Sequence, residues 1–198
     1  LAQLVGFQNI VLQANNVVVT PFEGIWQVNY TNTSGEKICL HSRHVVTTVG
    51  AYELKTMLPF VDNADIMPIS ALHYAPIVQV SMGLTNAQGV ENKAFGGLIP
   101  TCEQQQLLGI LFPSACFSHR CPTQGALFSF FLGGVKHAEM LTKNDNELCE
   151  IVTKALPTML RFPHDIRPEM IRIFRHERAI PQYELSSGER FAAITRIE

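Results

Sequence analysis

The chain has 198 residues, of which 46% are hydrophobic and 16% are charged, and its formal net charge is −2. This length suffices for one domain, or slightly more than one, with a full hydrophobic core. No basic tract is available to hold a phosphate backbone, so nucleic acid is not an expected partner. No apolar run reaches the length of about 18 residues that a membrane-spanning helix needs.

The cysteine pattern excludes two kinds of stabilising site. The five cysteines are odd in number and irregularly spaced, and they are Cys39, Cys102, Cys116, Cys121 and Cys149. They match neither a disulfide framework nor paired C-x-x-C zinc ligands. We therefore expect reduced, mostly buried thiols in a cytoplasmic protein.

The N-terminal part predicts a small antiparallel β-meander. Short β-prone runs separated by turn residues predict strands over Asn16–Thr20, Gly24–Tyr30, Ile38–Leu40 and His44–Thr48. A short helix is expected over Glu53–Leu58, ending at Pro59. Proline, aspartate and asparagine then gather between Thr56 and Ile69, which predicts a boundary between two bodies of the protein.

The middle of the chain predicts a sheet. Ile77–Leu84 alternates like a half-buried strand, whereas Phe95–Ile99, Leu107–Phe112 and Ala126–Leu132 are apolar throughout. Strands of the second kind are covered on both faces, by helices on one side and by helices or a ligand on the other. Glycine pairs at 96–97 and 133–134 weaken the strands and suggest close approach of backbone or ligand, the alternative being a buried sheet with glycine bulges.

A helix and a closing segment follow the sheet. Asn144 and Glu147 have the spacing of a capping box, and apolar residues from Leu148 to Met159 form one stripe of the helix. Pro157 is expected to kink or terminate it. Ile171–Arg175 predicts another strand, residues 179–183 a turn or extended stretch, and Gly188–Ile197 the start of a last helix. The fold class expected is α+β, with a mixed, mainly antiparallel sheet flanked by helices.

Common catalytic signatures are missing from the sequence, which has no G-x-G-x-x-G, P-loop or G-x-S-x-G motif. His41 and His44 lie in strand context with Ser42 and Arg43 between them, so we expect no metal site there. Glu103 with the glutamines that follow predicts a polar helical turn. Residue chemistry alone leaves a mixed domain with an apolar groove.

Two clusters of basic residues have both a structural and a functional interpretation. They are His119-Arg120, and His176 with Arg175 and Arg178. Such residues are solvated charges, or they bind an anionic group of a substrate through charge-assisted hydrogen bonds.

Several motifs follow one another in a fixed order: FGGLIPTCEQQ, LLGILFPSACFSHRCP and ALFSFFLGG within residues 95–134, then ELCEIVTKALPTMLRF and FRHERAIPQYE. In this order they resemble the substrate-domain core of FAD-dependent protoporphyrinogen oxidases. Upstream, GIWQV and HVVTTVGAYELKTMLPF are similar to the segment that closes the flavin domain in this family. The resemblance spans roughly Val17–Glu189.

The sequence also departs from the family pattern. His176 stands where the family has tryptophan, Glu177 replaces a common proline, and Cys121 replaces alanine. The first change puts a stacking role near the flavin in doubt. Because the Rossmann fingerprint and the closing FAD segment are not in the sequence, we expect the middle part of a longer protein, inactive and unable to hold FAD by itself in the usual way.

The resemblance implies a domain organisation and an activity. Residues 1–60 would be a β-meander at the edge of the FAD-binding domain, residues 61–184 the substrate-binding domain, and residues 185–198 the start of a helix returning to the FAD domain. The parent enzyme would oxidise protoporphyrinogen IX to protoporphyrin IX in haem biosynthesis, with dioxygen as acceptor. FAD carries the redox chemistry in this family, so no side-chain nucleophile is needed.

The resemblance also implies site residues. By motif position, Leu98, Leu111 and Phe131 would contact the pyrrole rings of the substrate, although spacing alone favours plain core for all three. Val17 resembles the position whose backbone meets the adenine of FAD. The family's propionate-binding arginine has no counterpart in this sequence, so that role is assigned to no residue.

Three alternatives remain open from the sequence. One is a coproporphyrinogen III oxidase of the same family, and another is a different flavin amine-oxidase-type enzyme such as a polyamine oxidase or carotenoid desaturase. The third is a non-enzymatic binding module. We expect a cytoplasmic location, with membrane association of the full-length enzyme left open, and self-association or a homodimer through exposed apolar surface.

Overall fold

The computed structural model describes residues 1–91 and 93–197. The chain forms two compact units, one from Leu1–Leu72 together with the chain from Tyr183 onward, and one from His73–Gln182. The boundary expected after residue 60 thus lies inside the first unit. In the region from Thr56 to Ile69, where the boundary was expected, Asn63–Ser70 forms a helix, and the Asp62 carboxylate accepts a hydrogen bond of 2.8 Å from the amide of Ala64.

The first unit contains a three-stranded antiparallel meander. Its strands are β1 (Asn15–Phe22), β2 (Ile25–Thr31) and β3 (Lys37–Ser42), in the order β1-β2-β3. Glu23 and Gly24 join β1 to β2 with φ angles of 46° and 81°, the left-handed conformations that a two-residue hairpin turn of matching twist requires. Three of the four predicted strands are therefore confirmed.

The strand predicted over His44–Thr48 is wrong. Residues 44–48 have no regular structure, and the chain turns instead at Ser42, whose hydroxyl accepts from the amide of His44 and donates to its carbonyl at 2.7 Å. β-Branched residues favour a strand only where a neighbouring strand and a buried face receive them, and residues 44–48 are exposed.

The helices of the first unit are α1 (Ala2–Val5), α2 (Ala51–Met57), α3 (Asn63–Ser70) and, after the second unit, a helix over Ser187–Ile197; a 3₁₀ turn spans Phe7–Asn9. The last helix packs against α3. The Arg196 guanidinium is 2.6 Å from the Asp65 carboxylate, and Arg190 Nε donates to the Pro68 carbonyl at 3.1 Å. The helices predicted over Glu53–Leu58 and Gly188–Ile197 are confirmed.

The second unit is built on a five-stranded sheet whose described pairs are all antiparallel. The strands are β4 (Tyr74–Leu84), β5 (Gly96–Leu98), β6 (Leu107–Leu111), β7 (Ala126–Gly133) and β8 (Met170–Pro181), in the order β5-β6-β7-β4-β8. Strand β8 is much longer than the predicted Ile171–Arg175, because it pairs with nearly the whole of β4. The expected α+β class with a mainly antiparallel sheet is confirmed.

One face of this sheet is the core. A short helix, α4 (Pro113–Cys116), follows β6, and a long helix, α5 (Asp145–Met159), covers the sheet. Helix α5 buries Leu148, Val152 and Leu156 in one cluster with β4 and β7. From the sheet, Val78, Val80, Met82, Phe128, Phe130 and Leu132 are fully buried in it. The predicted capping box of α5 is confirmed, and the helix ends two residues beyond Pro157. Further 3₁₀ turns lie at Thr101–Glu103 and Val135–Thr142.

The cysteines are free but not mostly buried, so that prediction is wrong. Cys39, Cys102 and Cys116 are exposed, and Cys121 and Cys149 are half-buried. Cys39 lies on an edge strand and Cys102 in a short turn, where no second layer covers them. Across residues 1–91 and 93–197, no helix combines the length and the hydropathy needed to cross a bilayer.

Candidate functional site on the open sheet face

The face of the five-stranded sheet that points away from α5 carries the candidate site. Side chains alternate along each strand, so Val78 and Val80 face α5 while Gln79 and Ser81 lie on the opposite face. Residues directly paired across an antiparallel sheet share a face. We call this second face the open face, and its register assigns it Gly96 and Leu98 of β5, Gly109 and Leu111 of β6, Leu127, Ser129, Phe131 and Gly133 of β7, Ile77, Gln79, Ser81 and Gly83 of β4, and Met170, Arg172, Phe174 and His176 of β8.

All three residues predicted to contact the substrate lie on the open face. Leu98 pairs with Gly109, which pairs with Phe131, and Leu111 pairs with Ser129 in the adjacent row. Leu111 and Phe131 are half-buried, whereas Leu98 is 89% exposed. The apolar strands led us to expect cover on both faces of the sheet. On the open face that cover is incomplete within the described residues, because Leu98 is exposed although Ile77 and Ser129 are buried. The three predicted side chains form an apolar surface rather than a closed cleft.

Two glycines bring the leucines close to the sheet. A Cβ atom at Gly109 would lie 3.2 Å from Cδ2 of Leu98 and 2.8 Å from the carbonyl oxygen of Gly97. A Cβ atom at Gly96 would lie 2.9 Å from Cδ2 of Leu111 and would collide with the carbonyl oxygen of Ile110. Each leucine side chain thus lies over a glycine of the neighbouring strand, in the space that a larger residue would fill. The predicted close approach of backbone at the first glycine pair is confirmed.

The second glycine pair closes strand β7 against β4. Gly133 and Gly134 have φ angles of 102° and 78°, and the amide of Gly134 donates to the Pro76 carbonyl at 2.8 Å. A Cβ atom at Gly133 would be 3.0 Å from the same oxygen. Here too the glycines allow one backbone to approach another.

The opposite side of the open face is polar and aromatic. Strand β8 places Arg172 beside Ser81, Phe174 beside Gln79 and His176 beside Ile77. All three β8 side chains are exposed. Arg172 and Phe174 were not predicted as site residues, although the period of two along Arg172, Phe174 and His176 places them on one face of a strand.

The predicted basic clusters do not form one site. Arg175 faces the α5 side of the sheet, where Nη2 donates to the Lys143 carbonyl at 2.8 Å and to the Asp145 carboxylate at 2.7 Å. It thereby ties β8 to the start of α5, on the face opposite His176. Arg120 lies in the connection between β6 and β7, with its guanidinium carbon 5.6 Å from the centre of the Phe117 ring.

A cavity of about 550 Å³ lies at the end of the sheet where β4 begins and β8 ends. Its walls combine apolar residues such as Ile77, Ile99 and Ile180 with the amide side chains of Gln104 and Gln182. The 3₁₀ turn over Thr101–Glu103 borders it. The helical turn predicted for Glu103 and the three glutamines therefore ends at Glu103, and the glutamines follow it and contribute to the wall. Leu98, Leu111 and Phe131 do not line this cavity.

Val17, the predicted adenine contact, lies in a β-bulge. Asn15 pairs with Thr31 and Val18 with Asn29, so Asn16 and Val17 oppose Tyr30 alone. Asn16 has a φ angle of 53°. A bulge leaves one residue out of the strand ladder, and its backbone groups become available to another partner. This geometry fits a backbone contact to a ligand at residues 16–17.

Comparison with known proteins places the chain in a family. The profile of the flavin containing amine oxidoreductases matches residues 19–186. The chain is 28% identical over 168 residues to the chloroplastic protoporphyrinogen oxidase of Nicotiana tabacum, covering 81% of this chain and 30% of that protein. It therefore spans about a third of the length of this curated relative.

Solved structures share the fold at lower identity. A putative protoporphyrinogen oxidase from Exiguobacterium sp. 255-15 superposes with a TM-score of 0.67 and 14% identity, over 92% of this chain and 38% of that one. A redesigned putrescine oxidase gives a TM-score of 0.72 and 13% identity, over 98% and 42% of the two chains. Since the family profile matches most of the sequence, the chain belongs to the flavin containing amine oxidoreductases.

Proposed function

We propose that this chain supplies the substrate-binding surface of an oxygen-dependent protoporphyrinogen oxidase, which converts protoporphyrinogen IX to protoporphyrin IX. The observation that carries the proposal is the placement of Leu98, Leu111 and Phe131 on one exposed sheet face. The similarity to protoporphyrinogen oxidases of plants and mammals over most of the chain supports the same activity.

The open face suits a large, flat and mostly apolar ligand. Leu98 and Leu111 lie low over glycines, and the Phe131 ring stands beside them on the central strand β7. Such a surface binds a macrocycle through apolar contacts and ring stacking, without a covalent bond, and it excludes water from the contact. In this proposal the chain binds and orients the substrate.

The redox chemistry is assigned to FAD bound by the wider protein. FAD, when bound, would supply the two-electron redox chemistry of each round of oxidation, with dioxygen as the acceptor. In this proposal the chain contributes one backbone contact to the cofactor, at the bulge formed by Asn16 and Val17.

The chemistry of the open face favours a porphyrinogen over a polyamine. None of the described residues that the register places on this face is acidic, and Arg172 adds a positive charge. A cationic amine substrate would require negative or carbonyl-rich surroundings to offset its desolvation. Coproporphyrinogen III, with two further propionates, is the alternative substrate within the same class.

Binding of protoporphyrin IX to the purified chain tests the proposal. Titration followed by porphyrin fluorescence should show saturable binding, and Phe131→Ala should weaken it about tenfold, since a buried aromatic contact contributes on the order of 1–2 kcal/mol. Phe117→Ala, which removes an exposed ring from the β6–β7 connection, is the matched control and should bind like the wild type. Equal affinities for the Phe131 and Phe117 variants would contradict the assignment of the open face.

A second measurement separates the enzyme from a binding module. The encoding gene should also encode a G-x-G-x-x-G motif, and the protein bearing it should be yellow and should oxidise protoporphyrinogen IX. A gene without that motif would favour the non-enzymatic alternative.

A further inference from the structure

We infer that Arg172 binds a carboxylate of the ligand and so sets its orientation on the open face, an inference that rests on the proposed function. Arg172 lies on β8, the edge strand farthest from Leu98.

Along the row of Arg172 the open face changes from apolar to polar across the sheet, whereas the neighbouring rows end in Met170 and Phe174 on β8. Along the row of Arg172, register places Leu111, Ser129, Ser81 and Arg172 on four successive strands. The row beside it contains Phe131 and Gln79, and Gln79 Nε2 donates to the Ser81 hydroxyl at 3.4 Å. With strands about 4.8 Å apart, Arg172 is about 10 Å from the β7 backbone that carries Phe131 and Ser129. A flat ligand with an apolar body and carboxylates at one edge matches this gradient.

The guanidinium of Arg172 is available for such a carboxylate. Its Nη1 donates to the carbonyl of Ile171 at 3.3 Å, a weak contact within its own strand. Within residues 1–91 and 93–197, no carboxylate lies at ion-pair distance from it. An arginine has five N–H donors in a planar fork that fits a carboxylate with two hydrogen bonds.

Two other arginines, Arg175 on β8 and Arg167 just before it, already donate hydrogen bonds within the protein. Arg175 on the same strand binds Asp145 and the Lys143 carbonyl on the α5 side, and Arg167 Nη1 donates to the carbonyls of His164 and Ile166. Arg172 is therefore the arginine that the register places on the open face with its charge unmatched by a described acid. His176, two residues beyond Phe174, is the other basic side chain facing the ligand from this strand.

The test compares two forms of one ligand. Protoporphyrin IX and its dimethyl ester have the same macrocycle, but the ester has no carboxylates. The wild-type chain should bind the diacid about fivefold to tenfold more tightly than the diester, and added salt should reduce that preference. Arg172→Gln should bind both forms with equal affinity and leave affinity for the diester unchanged, while Arg172→Lys should retain part of the preference.

Controls distinguish the failure of this inference from the failure of the proposed function. Arg161→Gln removes the same charge from an exposed position after α5 and should keep the wild-type preference. If Arg172→Gln still prefers the diacid as the wild type does, the inference is wrong although the proposed function stands. If the wild type binds neither form, the proposed function itself is wrong. Circular dichroism of each variant confirms that its fold is intact.

Discussion

At the scale of single residues, two glycines determine how the apolar part of the open face is shaped. Gly96 and Gly109 leave the space into which Leu111 and Leu98 fold, and no other residue type could occupy the position of Gly109 without moving Leu98 or the neighbouring backbone. The sequence showed that glycines interrupt these strands. The register of β5 on β6 was needed to show which leucine lies over which glycine.

Gly109→Ala should destabilise the second unit by about 1–3 kcal/mol, because the added methyl group would be 2.8 Å from the Gly97 carbonyl oxygen. Urea unfolding measures the loss. Gly97→Ala is the matched control, since a Cβ atom there has no neighbour within 4 Å and the change should cost well under about 1 kcal/mol. Equal losses in the two variants would show that the packing over Gly109 does not limit stability.

At the scale of elements, helix α5 shows local signals and tertiary packing in agreement. The Asn144 side chain accepts from the Glu147 amide at 3.1 Å, and the Glu147 carboxylate accepts from the Asn144 amide at 3.0 Å. Both bonds follow from a three-residue spacing, so the sequence sufficed to predict them. The opposite case is β8, whose exposed polar residues join the sheet only because β4 provides a pairing partner along most of its length.

Asn144→Ala should lower the free energy of unfolding by about 1 kcal/mol through loss of the cap. Chemical denaturation at neutral pH measures this change. Asn146→Ala is the control, because Asn146 is the second residue of α5 and its exposed side chain forms no part of the capping box. A loss for Asn146→Ala as large as that for Asn144→Ala would contradict the assigned role of the cap.

The capping box also predicts a pH dependence. The backbone hydrogen bond from Asn144, followed by the bond from Lys143, lowers the pKa of Glu147 below its ordinary value of 4.5. A lowered pKa in the folded state means that the contribution of Glu147 to stability is present above its unfolded pKa and is lost as pH falls through the folded pKa. Glu147→Gln should therefore lose less stability than the wild type between about pH 6 and about pH 3.

The measurement is the urea midpoint of each variant across that pH range. If the urea midpoint of Glu147→Gln falls with pH as steeply as that of the wild type, this carboxylate does not contribute to the loss of stability in acid.

At the scale of the whole molecule, apolar side chains remain exposed on both units. Leu98 on the open face and Leu185 before the last helix are the clearest cases. Exposed apolar residues on a sheet face favour association with another surface. The open face therefore supports the prediction of self-association.

The purified chain should form dimers or larger species whose average mass rises with concentration in light scattering. Leu98→Ser should shift this equilibrium toward the monomer, because it removes an exposed apolar side chain from the open face. Leu185→Ser, in the other unit, is the comparison variant, and it should leave the equilibrium unchanged if the open face is the surface that associates. A monomeric mass at all concentrations of the wild type would contradict the prediction.

The sequence by itself determined the properties that depend on near neighbours along the chain. These are the meander hairpin, the cap of α5, the apolar strands and the order of motifs that pointed to the flavoenzyme family. Tertiary structure alone decided which strand pairs with which, and hence that Leu98, Leu111, Phe131 and Arg172 share one face while Arg175 lies on the other. The reason is physical: a shift of one residue in strand register moves every side chain to the opposite face, and register is set by partners distant in the sequence.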